Sequence, residues 1–301
     1  MPPWENKMPK HELKQRKSDS TPGLKVAEPL LCVATNPKWK GNLGNTLFNS
    51  VKLYCENPSW TWHSLSVLPI LLAKSDKSTP FWKANQEEED YEQIFSHLFC
   101  VLARWSAFRG KTRREVLWAR TQKCGWDFIK YIQSAARNVT CLADFTQDEV
   151  KSFSAEVDEN FIWFDANTKK TRSRSRVFPS KFARLMLPNY IATFDNEIIR
   201  DQVLPYLVVG SKRCFIEYIQ LCWLIIQALK KSNQLALARQ EVVNHLVSEW
   251  TVVNIIDPAV KNQACLSKLD GLVAEYALTG WTYHLTGAER IKPFVAVDLS
   301  K

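Results

Sequence analysis

From Glu89 to Trp105 the sequence reads EDYEQIFSHLFCVLARW. Tyr91, Ile94, Phe95, Leu98, Leu102 and Trp105 recur at intervals of three and four, so they line one face of an α-helix. The acids from Glu87 to Asp90 stand at its start, where the macrodipole favours negative charge. The same period recurs along most of the chain. It predicts a possible helix through Phe48, Val51 and Leu53, then helices through REVLWARTQ and through GWDFIKYIQSAARN, the latter starting after Gly125. A further helix over TQDEVKSFSAEV is predicted to begin at Thr146, with Glu149 completing a capping box. Helices also follow at 212–231, near 234–250 and through Leu266, Leu269, Leu272, Val273 and Tyr276. FIWF is read as a short strand or buried turn that interrupts them. Strand candidates are few, so the class is mainly α.

With 301 residues, 46% hydrophobic and 24% charged, the chain can bury a sizeable core. Its nine glycines leave little room for phosphate-cradling turns, and neither GxGxxG nor GxxxxGK[ST] is present. None of the eight cysteines forms a CxxC pair, and the five histidines are scattered. Neither a metal site nor a disulfide framework is suggested, which fits a reducing cytoplasm. No cofactor is implied. Residues 1–25 are polar, basic and interrupted by proline, and are read as a disordered tail rather than a secretory signal. The most apolar run, CFIEYIQLCWLIIQALKK, is broken by Glu217, Gln220 and Gln227 and reads as a core helix rather than a membrane span.

The net charge is +9 and it is clustered. Between Ala166 and Phe194 stand Lys169, Lys170, Arg172, Arg174, Arg176, Lys181 and Arg184, with no acid among them. A second cluster holds Arg104, Arg109, Lys111, Arg113, Arg114, Arg120 and Lys123, opposed only by Glu115. Such clusters suit a phosphate backbone, and equally a solvated basic face. Twelve tryptophans allow a core of large aromatics or stacking platforms for bases.

The segment PSKFARLMLPNYIATFDNEII, 179–199, gathers the sharpest candidates. Ser180 is placed to N-cap the helix carrying Phe182, Leu185 and Met186, which puts Lys181 in its first turn. A cation there meets the positive helix end, and burial would lower its pKa further. A neutral lysine amine is a nucleophile. Pro188 stops this helix, and Asp195 is placed to N-cap the next, with Ile198, Ile199 and Val203 as its buried face. The two helix starts share a cleft only if NYIATF doubles back.

This run resembles the active-site segment of helix-hairpin-helix glycosylases of the 8-oxoguanine DNA glycosylase type, and more closely that of bacterial proteins with the same fold. Ser180, Lys181, Leu185, Pro188, Tyr190 and Asp195 match in kind, over about twenty residues. SRVFPSK lacks the glycine-containing turn with which the family grips a DNA phosphate, and Thr193 and Phe194 also depart from its pattern.

The resemblance implies a mainly α, helix-hairpin-helix glycosylase-like fold with two helical subdomains, about 26–155 and 156–301, flanking a cleft. It implies excision of a damaged or modified base from double-stranded DNA, either 8-oxoguanine-like or a hypermodified base of phage DNA. Lys181 would attack the anomeric carbon and form a Schiff base that permits strand cleavage. The Asp195 carboxylate would stabilise positive charge on the sugar. The phosphate contacts expected are Lys169, Lys170, Arg172, Arg174, Arg176, Arg184, Arg109, Lys111, Arg113 and Arg114. A flipped base needs a flat-walled pocket, for which Trp163, Phe164, Phe178, Trp281, Tyr283 and His284 are the candidates. A monomer without metal or membrane contact is expected. The alternatives are a non-catalytic nucleic-acid binder that keeps the fold, and a protein-interaction module with no DNA role.

Overall fold

The computed structural model describes residues 43–56, 111–165, 176–195, 214–252 and 268–286, with Phe95, Leu98, Phe99, Leu102, Ile199, Arg200, Val203 and Leu204. Among the described residues the continuous helices are, in order, α1 (Leu43–Glu56), α2 (Lys111–Ala135), α3 (Gln147–Asp165), α4 (Val177–Met186), α5 (Phe215–Lys231), α6 (Leu235–Val252) and α7 (Asp270–Thr286), with a 3₁₀ turn at Leu142–Asp144. No strand occurs among the described residues. None of these helices is long and apolar enough to cross a membrane. The 1–25 tail lies outside the described residues.

The local signals of α3 act as the sequence implies. Thr146 N–H donates to Glu149 Oε2 at 2.8 Å, and Glu149 N–H donates to Thr146 Oγ1 at 3.3 Å. This reciprocal box satisfies two orphan donors of the first turn. The helix then runs on through FIWF to Asp165, which corrects the strand-or-turn reading. Phe161 and Phe164 each fall on its buried side at 0% exposure, so tertiary burial extends the helix over a β-prone run.

Gly125 does not separate two helices. It lies inside the 25-residue α2, where a Cβ would come within 2.9 Å of the Phe95 ring. Helical glycine costs about 1 kcal/mol against alanine, and close passage of a phenyl ring explains its presence. Gly44 sits in the first turn of α1, where a Cβ would collide with the Ser232 side chain.

A single apolar core takes residues from each of α1 to α7. Helix α1 packs along α7 and also touches α5 and α6, while α2 lies on α3, and α3 on α5 and α4. The division expected near residue 155 therefore falls in the middle of α3, and the N-terminal α1 belongs with the C-terminal helices. The α1–α7 crossing is tight, because a Cβ on Gly280 would stand 1.9 Å from the Ser50 carbonyl oxygen. The Tyr54 and Tyr276 rings pack beside it, tilted by 48°, with centroids 4.3 Å apart.

Two helix junctions position the hairpin that carries Lys181 and Asp195. Gly271 lets α7 begin against the backbone of Pro188 and Ile191, and Leu272 N–H donates to the Pro188 carbonyl at 3.1 Å. Asp270, fully buried, accepts Arg239 Nε at 2.8 Å and Nη2 at 3.0 Å, and also Ala143 N–H at 2.8 Å. From the other side Leu142 N–H donates to Asn189 O, Asn189 Nδ2 to Thr140 O and Tyr190 Oη to Val139 O.

Candidate active site

Helix α4 begins one turn earlier than the sequence suggests. Arg176 precedes its first residue without a side-chain cap, and Ser180 N–H makes an early helical bond to Arg176 O at 2.9 Å. Pro179 occupies the first turn, where its missing N–H costs nothing. Ser180 is therefore not the N-cap, and Lys181 sits in the second turn, beyond the strongest part of the macrodipole. What lowers the Lys181 pKa is chiefly burial. The Asp195 and Glu275 carboxylates pull the other way, and the nearby Arg184 cation adds to the lowering.

Ser180 has a different task. Phe194 N–H donates to its Oγ at 3.1 Å, and the hydroxyl is within donating distance of Val177 O at 3.1 Å and Phe194 O at 3.2 Å. These contacts fold the chain back on itself after Pro188. Leu187 O accepts the N–H groups of Tyr190 and Ile191, and residues 191–195 then return in non-helical backbone. The connection doubles back as a shared cleft requires.

The doubling back brings Lys181 Nζ within 3.7 Å of Asp195 Oδ2. The lysine side chain is 6% exposed and the aspartate 29% exposed, so the pair is enclosed on the amine side and more open at the carboxylate. Asp195 O accepts Arg200 N–H at 3.0 Å at the start of the next helical turn. The first residues that its carboxylate would cap, 196–198, lie outside the described residues.

Beside this pair stands a second, tighter one. Arg184, 2% exposed, meets the Glu275 carboxylate twice, Nε to Oε2 and Nη2 to Oε1, both at 3.0 Å. Glu275 Oε2 also accepts Thr193 N–H at 3.0 Å. Arg176 pairs with Asp158 in the same bidentate way at 2.8 and 2.9 Å. Three arginine pairs, Arg176–Asp158, Arg184–Glu275 and Arg239–Asp270, thus fasten helices to each other. Arg suits such pairs because its planar fork matches a carboxylate. The lysine pair is longer: its 3.7 Å exceeds the roughly 2.7–2.9 Å of a short charge-assisted hydrogen bond.

Several expected contact residues change role. Arg184 is buried and committed to Glu275, which removes it from the phosphate contacts. Arg176 is held by Asp158 on α3. Phe164 and Phe178 are each 0% exposed and stack with centroids 6.0 Å apart in a cluster with Phe128 and Phe182. They are core, not walls of a base pocket, because each ring is already covered by another ring. Trp281 is a core residue on α7 at 4% exposure. Trp163 is 43% exposed, with the Arg120 guanidinium 5.0 Å from its ring centroid and Arg120 Nη2 donating to its carbonyl. Arg114 is exposed at the start of α2.

Lys169, Lys170, Arg172, Arg174 and Arg109 lie outside the described residues, as do the side chains of Lys111, Arg113, Tyr283 and His284. A shallow cavity between the ends of α2 and α3, lined by Arg137, Asn138, Phe145 and Glu149, includes neither Lys181 nor Asp195.

Glu275, Asp158, Asp270 and Arg239 escaped sequence reasoning. One signal was present for Glu275: it is the only charge between Gly271 and Trp281 on an apolar helix. A charge at such a position must find a partner when the helix is buried. Comparison with protein-family models, curated proteins and solved structures finds no match to this chain.

Proposed function

We propose that the chain is a DNA glycosylase that excises a damaged or modified base, with Lys181 as nucleophile and Asp195 as the electrostatic partner of the sugar. The observation that carries this reading is the enclosed Lys181–Asp195 contact at 3.7 Å, longer than the arginine forks Arg184–Glu275, Arg176–Asp158 and Arg239–Asp270 of the described residues. Burial lowers the Lys181 pKa, which increases the share of neutral amine near neutral pH. The more open carboxylate is the member that a sugar would meet first.

In this chemistry the Nζ lone pair bonds to C1′ as the N-glycosidic bond breaks, and the base leaves with the bonding pair. The proton shed by Nζ ends on the departing base. Positive charge builds on the sugar as the bond stretches, and the Asp195 carboxylate stabilises it. Ring opening then breaks C1′–O4′, protonates O4′ and leaves a Schiff base on Lys181. Loss of a C2′ proton expels the 3′ phosphate and nicks the strand. The target base must first leave the stack. An 8-oxoguanine-like lesion and a hypermodified phage base are both substrates within this class.

The test is incubation with duplexes carrying defined modified bases and with modified phage DNA. Base release, abasic sites and a borohydride-trapped protein–DNA adduct are expected. Lys181→Gln should abolish trapping, and Asp195→Asn should slow base release. Release of the base by both variants at the wild-type rate would refute the assignment.

The competing reading, a non-catalytic nucleic-acid-binding protein, draws on the 6% exposure of the Lys181 side chain. A lysine so enclosed can serve as a structural ion pair. That reading predicts salt-sensitive DNA binding and no base release on any substrate.

A further inference from the structure

Glu275 makes contacts on both arms of the hairpin from a third element. Through Arg184 it holds α4, one helical turn beyond Lys181. Through Thr193 N–H it holds the returning segment, two residues before Asp195. Its Oε2 takes part in both, so a single carboxylate oxygen on α7 fixes the separation of the two arms. The Ser180–Phe194 bonds close the same hairpin nearer the pair, but they lie within the hairpin and cannot set its position on the rest of the fold.

We propose that Glu275 is a positioning residue of the Lys181–Asp195 site, registering both arms of the hairpin on α7. This inference rests on the proposed role of Lys181 for its catalytic meaning, but not for its test.

Among the described residues, the charged groups acting on Lys181 are Asp195 on the return, Glu275 on α7 and Arg184 on its own helix. The two carboxylates favour the ammonium, Glu275 less than Asp195, and Arg184 disfavours it least strongly of all. Glu275→Gln keeps an acceptor for Thr193 N–H but removes the negative charge and the ion pair it makes with Arg184. Loss of that charge lowers the affinity of Lys181 for its proton. Pairing Glu275→Gln with Arg184→Met removes both charges of that pair rather than one. The carboxylate's effect on Lys181 exceeds that of Arg184, so the double variant also lowers the midpoint, though less.

The experiment is a pH titration of the Lys181 side chain by 13C NMR in lysine-labelled full-length protein, its signal assigned by loss in Lys181→Gln. The expected order of midpoints, from highest to lowest, is wild type, then Arg184→Met/Glu275→Gln, then Glu275→Gln. The acid limb of the base-release profile should move in the same direction.

An unchanged or raised midpoint in folded Glu275→Gln overturns the proposal. If that variant does not fold, the double variant decides, and a midpoint at or above wild type overturns it. The titration needs no substrate. A wild type that traps no DNA therefore refutes the glycosylase reading and leaves the role of Glu275 to the titration alone.

Discussion

Ser180 and Phe194 are joined across fourteen positions of sequence: Phe194 N–H donates to Ser180 Oγ at 3.1 Å, and that hydroxyl lies 3.2 Å from Phe194 O. Each is the immediate neighbour of a candidate catalytic residue. Ser180 is fully buried, so no water replaces these bonds. Ser180→Ala leaves Phe194 N–H without this acceptor in a dry site, at a cost of about 1–3 kcal/mol. It also frees the return segment. Under the proposed glycosylase chemistry, misplacement of this order should lower single-turnover base release by roughly 10- to 100-fold, while DNA affinity should stay near wild type. Equal loss in both quantities would show that Ser180 supports the fold as a whole rather than the pair.

Lys181 itself should weaken the fold at neutral pH. Its folded pKa lies below the ordinary 10.5, mainly through burial. Between the lowered value and 10.5 the unfolded chain binds more protons than the native one, so stability rises with pH across that window. Below it the full cost of burying the ammonium is present. Lys181→Met removes that charge and leaves Asp195, at 29% exposure, in contact with solvent. The variant should be more stable than wild type by about 1 kcal/mol at pH 7. The gain should shrink as pH rises toward 10.5, as measured by urea denaturation at a series of pH values. A gain that grows with pH would contradict the assigned direction of the shift.

Arg114 and Arg184 should separate cleanly. Neutralising exposed Arg114 to Gln should leave stability within about 0.5 kcal/mol. If it meets a phosphate, the slope of log K against log salt falls by about 1. Arg184→Gln strands the Glu275 carboxylate in the core and should cost roughly 3–5 kcal/mol. At temperatures where this variant is folded, its salt slope should match wild type. The measurements are thermal melts and DNA titrations at several salt concentrations.

Neighbouring aromatics at the end of α3 give a similar contrast. Phe164→Ala opens a hole in the stack with Phe128, Phe178 and Phe182 and should cost about 3–5 kcal/mol. Trp163→Ala, at 43% exposure, should cost roughly 1 kcal/mol or less. Chemical denaturation of the two variants checks the difference. Equal losses would contradict the burial assigned to Phe164.

The glycines of the helix crossings should rank by what their Cβ would meet. Gly280→Ala drives a methyl group toward the Ser50 carbonyl at 1.9 Å, and backbone cannot step aside. A loss of about 3 kcal/mol is expected. Gly125→Ala meets a ring edge at 2.9 Å, which can shift by a few tenths of an ångström. Its loss should be smaller, offset in part by alanine's better helix propensity. Melting temperatures of the two variants test the order.

Local chemistry was legible wherever the cause was local. The 3.6-residue period fixed the mainly helical class, and the Thr146–Glu149 box fixed the start of α3, because both act within one turn of chain. The pairing of Lys181 with Asp195 was legible as a spacing, yet its geometry was not. That required the return after Pro188, fastened by Ser180 from within and by α7 and the 139–142 loop from outside. Sequence alone also misassigned Arg184, Phe164 and Phe178. A charge or an aromatic ring carries no mark of which way its helix face will turn, and only packing decides whether an arginine meets solvent or a carboxylate ninety-one positions away. What the sequence by itself determined was the mainly helical class and the residues able to do chemistry, while helix limits at Gly125, FIWF and Ser180 followed from packing. Tertiary structure decided which of those charges became struts and which lysine came to face an aspartate in a buried site, because desolvation and ion pairing depend on neighbours distant in the chain.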